Sequence, residues 1–243
     1  MAHGTPDWGV TAGAVTTYQL TDLAELAARL GSPVTFDRRG DVILIEDFED
    51  GVSKLNVSSP GTGGRVQTSA LRARNGRYSC HLVCGSAVAT RAAVNVHLPF
   101  AVLSHFGFEV SFAKETIIDS WEVLVQVRDG TNLTNYHITW TEATTTLAYT
   151  NAAGLAVTIA TNVDFTDFDR IFHTLKLVVD GPNGEYERLI LNNRSFSLAN
   201  VGAQVSASAT LPQLVFEFAA VGRAAVNDEM YVGHLIVTQN EPA

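Results

Sequence analysis

Along residues 172–198 apolar and polar positions alternate with the period of a β-strand. Leu175, Leu177 and Val179 fall on one face and Thr174, Lys176 and Val178 on the other, so one side is set to meet a core. Asp180-Gly181-Pro182-Asn183-Gly184 is a five-residue chain reversal, and Tyr186 to Leu191 runs back as a second strand rich in apolar residues. Asn192-Asn193 tolerates positive φ, which predicts a tight turn into a third short strand, Ser195 to Leu198.

Strand signals recur from Asp41 onward. They cover Val42 to Glu46, Tyr78 to Val83, Arg91 to Leu98, Phe106 to Ala113, Trp121 to Arg128 and Tyr136 to Thr141. Further on they cover Thr145 to Tyr149, Leu155 to Ile159, Leu214 to Phe218 and Tyr231 to Thr238. Turn-formers such as Asp50-Gly51, Pro60-Gly61 and Asp129-Gly130 separate them. About a dozen short strands at this spacing predict two packed antiparallel sheets, an all-β jelly roll, and no repeat suggests a propeller or solenoid.

Residues 1–40 read differently, as an N-terminal arm ahead of a sandwich over residues 41–243. Gly9 to Tyr18 is small and weakly apolar, which suits an extended segment. Leu23, Leu26, Ala27 and Leu30 then follow helical spacing, behind an Asp22/Glu25 capping box and ahead of Gly31 and Pro33. One short amphipathic helix cannot bury its stripe alone, so Leu23, Leu26 and Leu30, with Trp8, are the expected assembly contacts.

Three segments carry a family resemblance. The hairpin above, Glu46-Asp47-Phe48-Glu49-Asp50-Gly51 and Met230 to Val237 together resemble the concanavalin A-like, laminin-G-like jelly rolls over roughly Ile45 to Val237. In carbohydrate-binding members the opening Phe-Glu segment and an Asp-Asp pair in the closing strand hold a structural calcium. Here Gly233-His234 replaces that pair, which removes oxygens that a hard cation needs and leaves Glu49, Asp50 and Asp228 as calcium candidates. No other cofactor is expected. The opening Met1 to Trp8 resembles the starts of tailed-phage virion structural proteins, which implies a capsid decoration or tail component.

Composition narrows the partners. With 25 acidic against 16 basic residues the chain carries a net charge of −9, so nucleic acid is not an expected partner. Arg65, Arg72, Arg74 and Arg77 cluster in sequence and read as a solvated face. No stretch has the length of a membrane span and no secretory signal is recognised, so a virion or otherwise cytoplasmic location is expected. Asn56, Asn132 and Asn193 head glycosylation-type triplets and read as turn sequences in that setting. Cys80 and Cys84 lie about 13 Å apart on an extended strand, too far for a disulfide. A zinc site from Cys80, His81 and Cys84 is disfavoured because neighbours on a strand face opposite ways.

Catalytic patterns are missing. Laminarinase-like jelly rolls project carboxylates at i, i+2 and i+4 from one strand, and no such run occurs. Glu46 with Asp50 and Asp119 with Glu122 read as surface residues rather than dyads. No nucleophile elbow, zinc-helix motif or phosphate-cradling loop is present. Trp121, Tyr136 and Trp140 are the candidates for stacking on a sugar, with core packing as the competing role. The sequence thus predicts a non-enzymatic virion assembly protein, binding its own subunits and a capsid or tail protein through the arm. The alternative is a lectin-like carbohydrate-binding module, and the third reading is a degenerate glycoside hydrolase.

Overall fold

The computed structural model describes residues 10–11, 14–15, 40–74, 76–99, 102–165 and 171–242. The helix expected near Leu23, Leu26 and Leu30, and Trp8, lie outside the described residues. In chain order the strands begin with β1 (Val10–Thr11), β2 (Ala14–Val15), β3 (Asp41–Glu46), β4 (Asn56–Ser58), β5 (Arg65–Ser69) and β6 (Ser79–Val83). They continue with β7 (Arg91–Leu98), β8 (His105–Lys114), β9 (Ser120–Arg128), β10 (Asn132–Thr141), β11 (Thr146–Thr150) and β12 (Ala156–Ala160). The last are β13 (His173–Asp180), β14 (Glu185–Leu191), β15 (Arg194–Gly202), β16 (Gln204–Ala207), β17 (Gln213–Val221) and β18 (Glu229–Gln239).

Two eight-stranded sheets result, as the alternation predicts. One, the β13 sheet, runs β15-β14-β13-β8-β18-β6-β5 with β3 also on β18; the other, the β9 sheet, runs β12-β11-β10-β9-β17-β7-β4 with β16 also on β10. All pairings are antiparallel. Strands β1 and β2 pair with each other and with no strand of either sheet.

The core lies between the sheets because each strand turns one parity inward. Phe106, Phe108, Val110 and Phe112 of β8 face Trp121, Val123 and Val125 of β9 with Phe216 and Phe218 of β17, all buried. Phe112 packs 5.2 Å from Trp121 and 5.3 Å from Phe218, and Trp140 meets Phe165 edge-on at 4.8 Å. Each such ring contributes about 2–3 kcal/mol by leaving water.

This packing corrects the sugar-stacking assignment. Trp121, Tyr136 and Trp140 are each 0% exposed, so none presents a ring face to a ligand. They occupy the apolar parity of β9 and β10, which the sandwich turns inward. Trp140 Nε1 donates to Val163 O at 2.8 Å, and Tyr136 Oη donates across the sandwich to Asp180 O at 2.9 Å.

The motif segments are turns built by side chains. Glu46 Oε1 accepts Phe48 N–H at 2.8 Å, which holds Phe48 at positive φ (63°) with its ring in the core. In the main hairpin Asp180 takes both the backbone N–H and the side-chain amide of Asn183, at 3.0 and 2.6 Å. Asn192 adopts the positive φ expected of its turn, 52°.

Candidate functional site

On the β9 sheet the parity opposite the core carries polar side chains. Along β9 these are Glu122, Gln126 and Arg128 with Leu124; along β10, Asn135, His137 and Thr139; along β7, Arg91 and Asn95; along β17, Glu217. The register then sets their neighbours. Ala93, Ala219, Glu122 and Thr139 form one row across the sheet, and Asn95, Glu217, Leu124 and His137 form the next on the same face. Glu122 and Glu217 are therefore diagonal neighbours. Ala93 and Ala219 are small and buried beneath the side chains around them.

Arg91 joins the two carboxylates. Its Nη2 lies 2.8 Å from Glu122 Oε2 and 2.7 Å from Glu217 Oε1, and Asn95 Nδ2 donates to the other Glu217 oxygen at 3.4 Å. His137 Nε2 stands 3.7 Å from Glu122 Oε2, beyond ordinary hydrogen-bond distance. His137 and then Arg91 hold the Glu122 carboxyl below its usual range, against the opposing effect of burial. Further along, Gln126 Nε2 donates to Asn135 Oδ1 at 3.0 Å, and Arg128 donates to Gln126 Oε1 at 3.0 Å and Thr210 Oγ1 at 3.2 Å.

His137 is placed by a gap in the sheet. Strand β10 pairs β16 up to Asn135 and β11 from Ile138, so its free edge between them lacks a strand partner. The Tyr186 hydroxyl from the opposite sheet fills that gap, accepting His137 N–H and donating to Thr150 O, each at 2.8 Å. The His137 ring then exchanges hydrogen bonds with Thr139 Oγ1 and Thr150 Oγ1, both at 3.3 Å.

This face is lined by hydrogen-bonding groups. Asn95 Oδ1 and Arg91 Nε, both shielded from solvent, have no hydrogen-bond partner within the fold. A glycosidase general acid needs a carboxyl with a raised pKa. Glu122 is shifted the other way, and both carboxylates are held by one guanidinium.

The remaining candidates are dispersed. Glu46 caps its own turn, Asp50 pairs with Lys54 at 2.5 Å, and Asp119 is exposed ahead of β9. Among the calcium candidates, Glu49 accepts the N–H groups of Arg77 and Tyr78, and Asp228 accepts Arg223 at 2.7 Å, so Glu49, Asp50 and Asp228 each have protein donors. Among the described residues one group has metal-ligand closeness: His105, Asp180 and Glu187, with His105 3.6 Å from Asp180 and 3.8 Å from Glu187. Cys80 and Cys84 are buried free thiols, pushed up to about 12 and about 11 by burial, hence poor nucleophiles. His81 instead contacts Glu229 at 2.9 Å and stacks on Tyr231. Of the arginine cluster, Arg72 forks onto Glu115 and Arg74 bonds the Thr174 hydroxyl, while Arg65 reaches Gly63 O, so no shared anion site forms.

The β9-sheet face was missed from sequence because its charged members come from different strands. A signal existed: on β7, β9 and β10 the alternation is clean, and the polar parity of each names these residues.

No protein-family model and no curated protein sequence matches the chain. Solved structures share its fold. A cellulose-induced protein is 13% identical over 80% of this chain and 96% of that one, with a TM-score of 0.53. A Bacillus subtilis protein described as galectin-like in fold is 11% identical over 83% and 97%, with a TM-score of 0.52. Peanut lectin is 12% identical over 82% and 97%, with a TM-score of 0.49. The chain has the two-sheet jelly-roll β-sandwich fold that these structures share.

Proposed function

We propose that this chain is a non-catalytic glycan-binding module whose ligand lies across the outer face of the β9 sheet. One observation carries the reading: Arg91, Asn95, Glu122, Gln126, Asn135, His137 and Glu217 form a part-buried band of hydrogen-bonding groups on that face. Sugars present rows of hydroxyls that both donate and accept, and such a band matches them without a metal or a nucleophile. No aromatic platform contributes, because the ring candidates are in the core.

A screen of the full chain against an array of neutral and charged glycans tests this. Binding to at least one glycan is expected, and it should weaken about tenfold in Asn95→Ala/Gln126→Ala, which removes about one hydrogen bond's worth of net free energy. Binding to no glycan, or equal binding by that variant, would refute it. Turnover of a β-glucan would instead support an enzyme.

A virion assembly role is the second reading, favoured by the β1–β2 ribbon, which joins neither sheet of the sandwich. If that reading holds, a chain lacking residues 1–40 keeps a cooperative melt and loses its oligomeric mass in light scattering.

A further inference from the structure

Deepening the glycan-binding reading on which it rests, we propose that Glu122 and Glu217 are specificity residues: by holding Arg91 between them, they restrict the face to uncharged glycans and exclude uronates and sulfated sugars.

The argument starts from the cations a sugar anion would need. Among the described residues the face has two guanidinium groups, Arg91 and Arg128. Arg91 is clamped at 2.8 and 2.7 Å by two carboxylates, and Arg128 at the other end is held by Gln126 and Thr210. A carboxylate or sulfate seeks a bidentate approach to a guanidinium, and on Arg91 the Nη2 nitrogen that both bidentate edges share is already taken by the two protein carboxylates. His137 adds no open cation, since both ring nitrogens have hydroxyl partners and Nε2 also faces Glu122.

The charge count points the same way. One guanidinium against two carboxylates leaves the centre with an excess negative charge, and His137 and Arg91 hold the Glu122 carboxyl below its ordinary range. The side chains are 21% and 15% exposed for Glu122 and Glu217, so an arriving anion would meet them where water screens poorly. A neutral sugar meets no such penalty. Its hydroxyls donate to the carboxylates in charge-assisted hydrogen bonds and accept from Asn95 or Gln126 amides.

Removing the clamps therefore changes the specificity. In Glu122→Gln/Glu217→Gln the amides keep the side-chain shape while Arg91 is released to receive an anion. In Arg91→Gln both carboxylates lose their counter-charge, and anions are excluded further.

The test is affinity electrophoresis of the full chain in gels containing laminarin, xylan, galactan, polygalacturonate, alginate or carrageenan. Runs at about 0.5 M salt suppress long-range repulsion by the −9 chain and leave the local effect. The readout is the ratio of the best neutral to the best anionic affinity. The wild type should favour the neutral glycan by about tenfold or more. The double variant should lower that ratio by about tenfold or more, and Arg91→Gln should raise it. Cooperative thermal melts establish folding, and if the double variant does not fold, Glu217→Gln alone and Arg91→Gln carry the comparison. A wild type that binds an anionic glycan as tightly as a neutral one, or a ratio that folded variants leave unchanged, overturns the specificity claim and leaves glycan binding standing. A wild type retarded by no glycan overturns both.

Discussion

On the outer face of the β13 sheet, Lys176, Arg188 and Glu241 form a buried ion network; on the outer face of the β9 sheet, Arg91, Glu122 and Glu217 form one that is partly open. Glu241 is 0% exposed at its side chain, with Lys176 Nζ at 2.8 Å and Arg188 Nη2 at 2.9 Å, and Thr238 donates to it at 2.5 Å. Arg188 also donates to Pro242 O, so the C-terminal residues are fastened over the strands. Arg91, by contrast, is 40% exposed. In the first a carboxylate joins two cations, in the second a guanidinium joins two carboxylates, and the second is the more open to solvent. Enclosure, more than residue type, separates the closed network from the open one.

The largest expected effect breaks the closed side. Glu241→Ala removes the buried carboxylate that Lys176 and Arg188 share and should cost about 3–5 kcal/mol in chemical denaturation. A loss near zero would mean that this face is wetter than described.

The two networks also differ in how far the sequence reveals them. The hairpin from β13 to β15 was legible because its alternation and its Asn and Gly turns are local. Short polar strands were not: β4 and β16 are exposed throughout and carry no apolar face to read. The period of two placed Trp121, Tyr136 and Trp140 on one side of their strands but did not say which side met the other sheet. The open cluster needed register as well, since Arg91 and Glu217 are 126 positions apart. Glu241 lies beyond the last strand, where no pattern announces its burial.

On the open side, Glu217→Gln should change stability by about 1 kcal/mol or less, because Arg91 is 40% exposed and keeps both water and Glu122 as partners. Setting it beside Glu241→Ala sharpens the contrast. Equal losses would show that the open network is structural too.

The smallest effect concerns acid. His137 and Arg91 lower the folded pKa of Glu122, so its contribution is present above the unfolded carboxylate value and is lost as pH falls through the lowered one. Glu122→Gln should therefore flatten the acid limb of a stability-against-pH curve by about 1 kcal/mol or less. An unchanged limb would remove Glu122 from the coupled group.

The most direct measurement of the central claim is hydrogen-exchange mass spectrometry of the full chain, with and without a saturating neutral oligosaccharide from the array. Protection is predicted on β7, β9, β10 and β17 around Arg91, Glu122, His137 and Glu217, with the β13 sheet unchanged. Protection confined to the β13 sheet, or no change on the β9 sheet at saturation, would contradict the account.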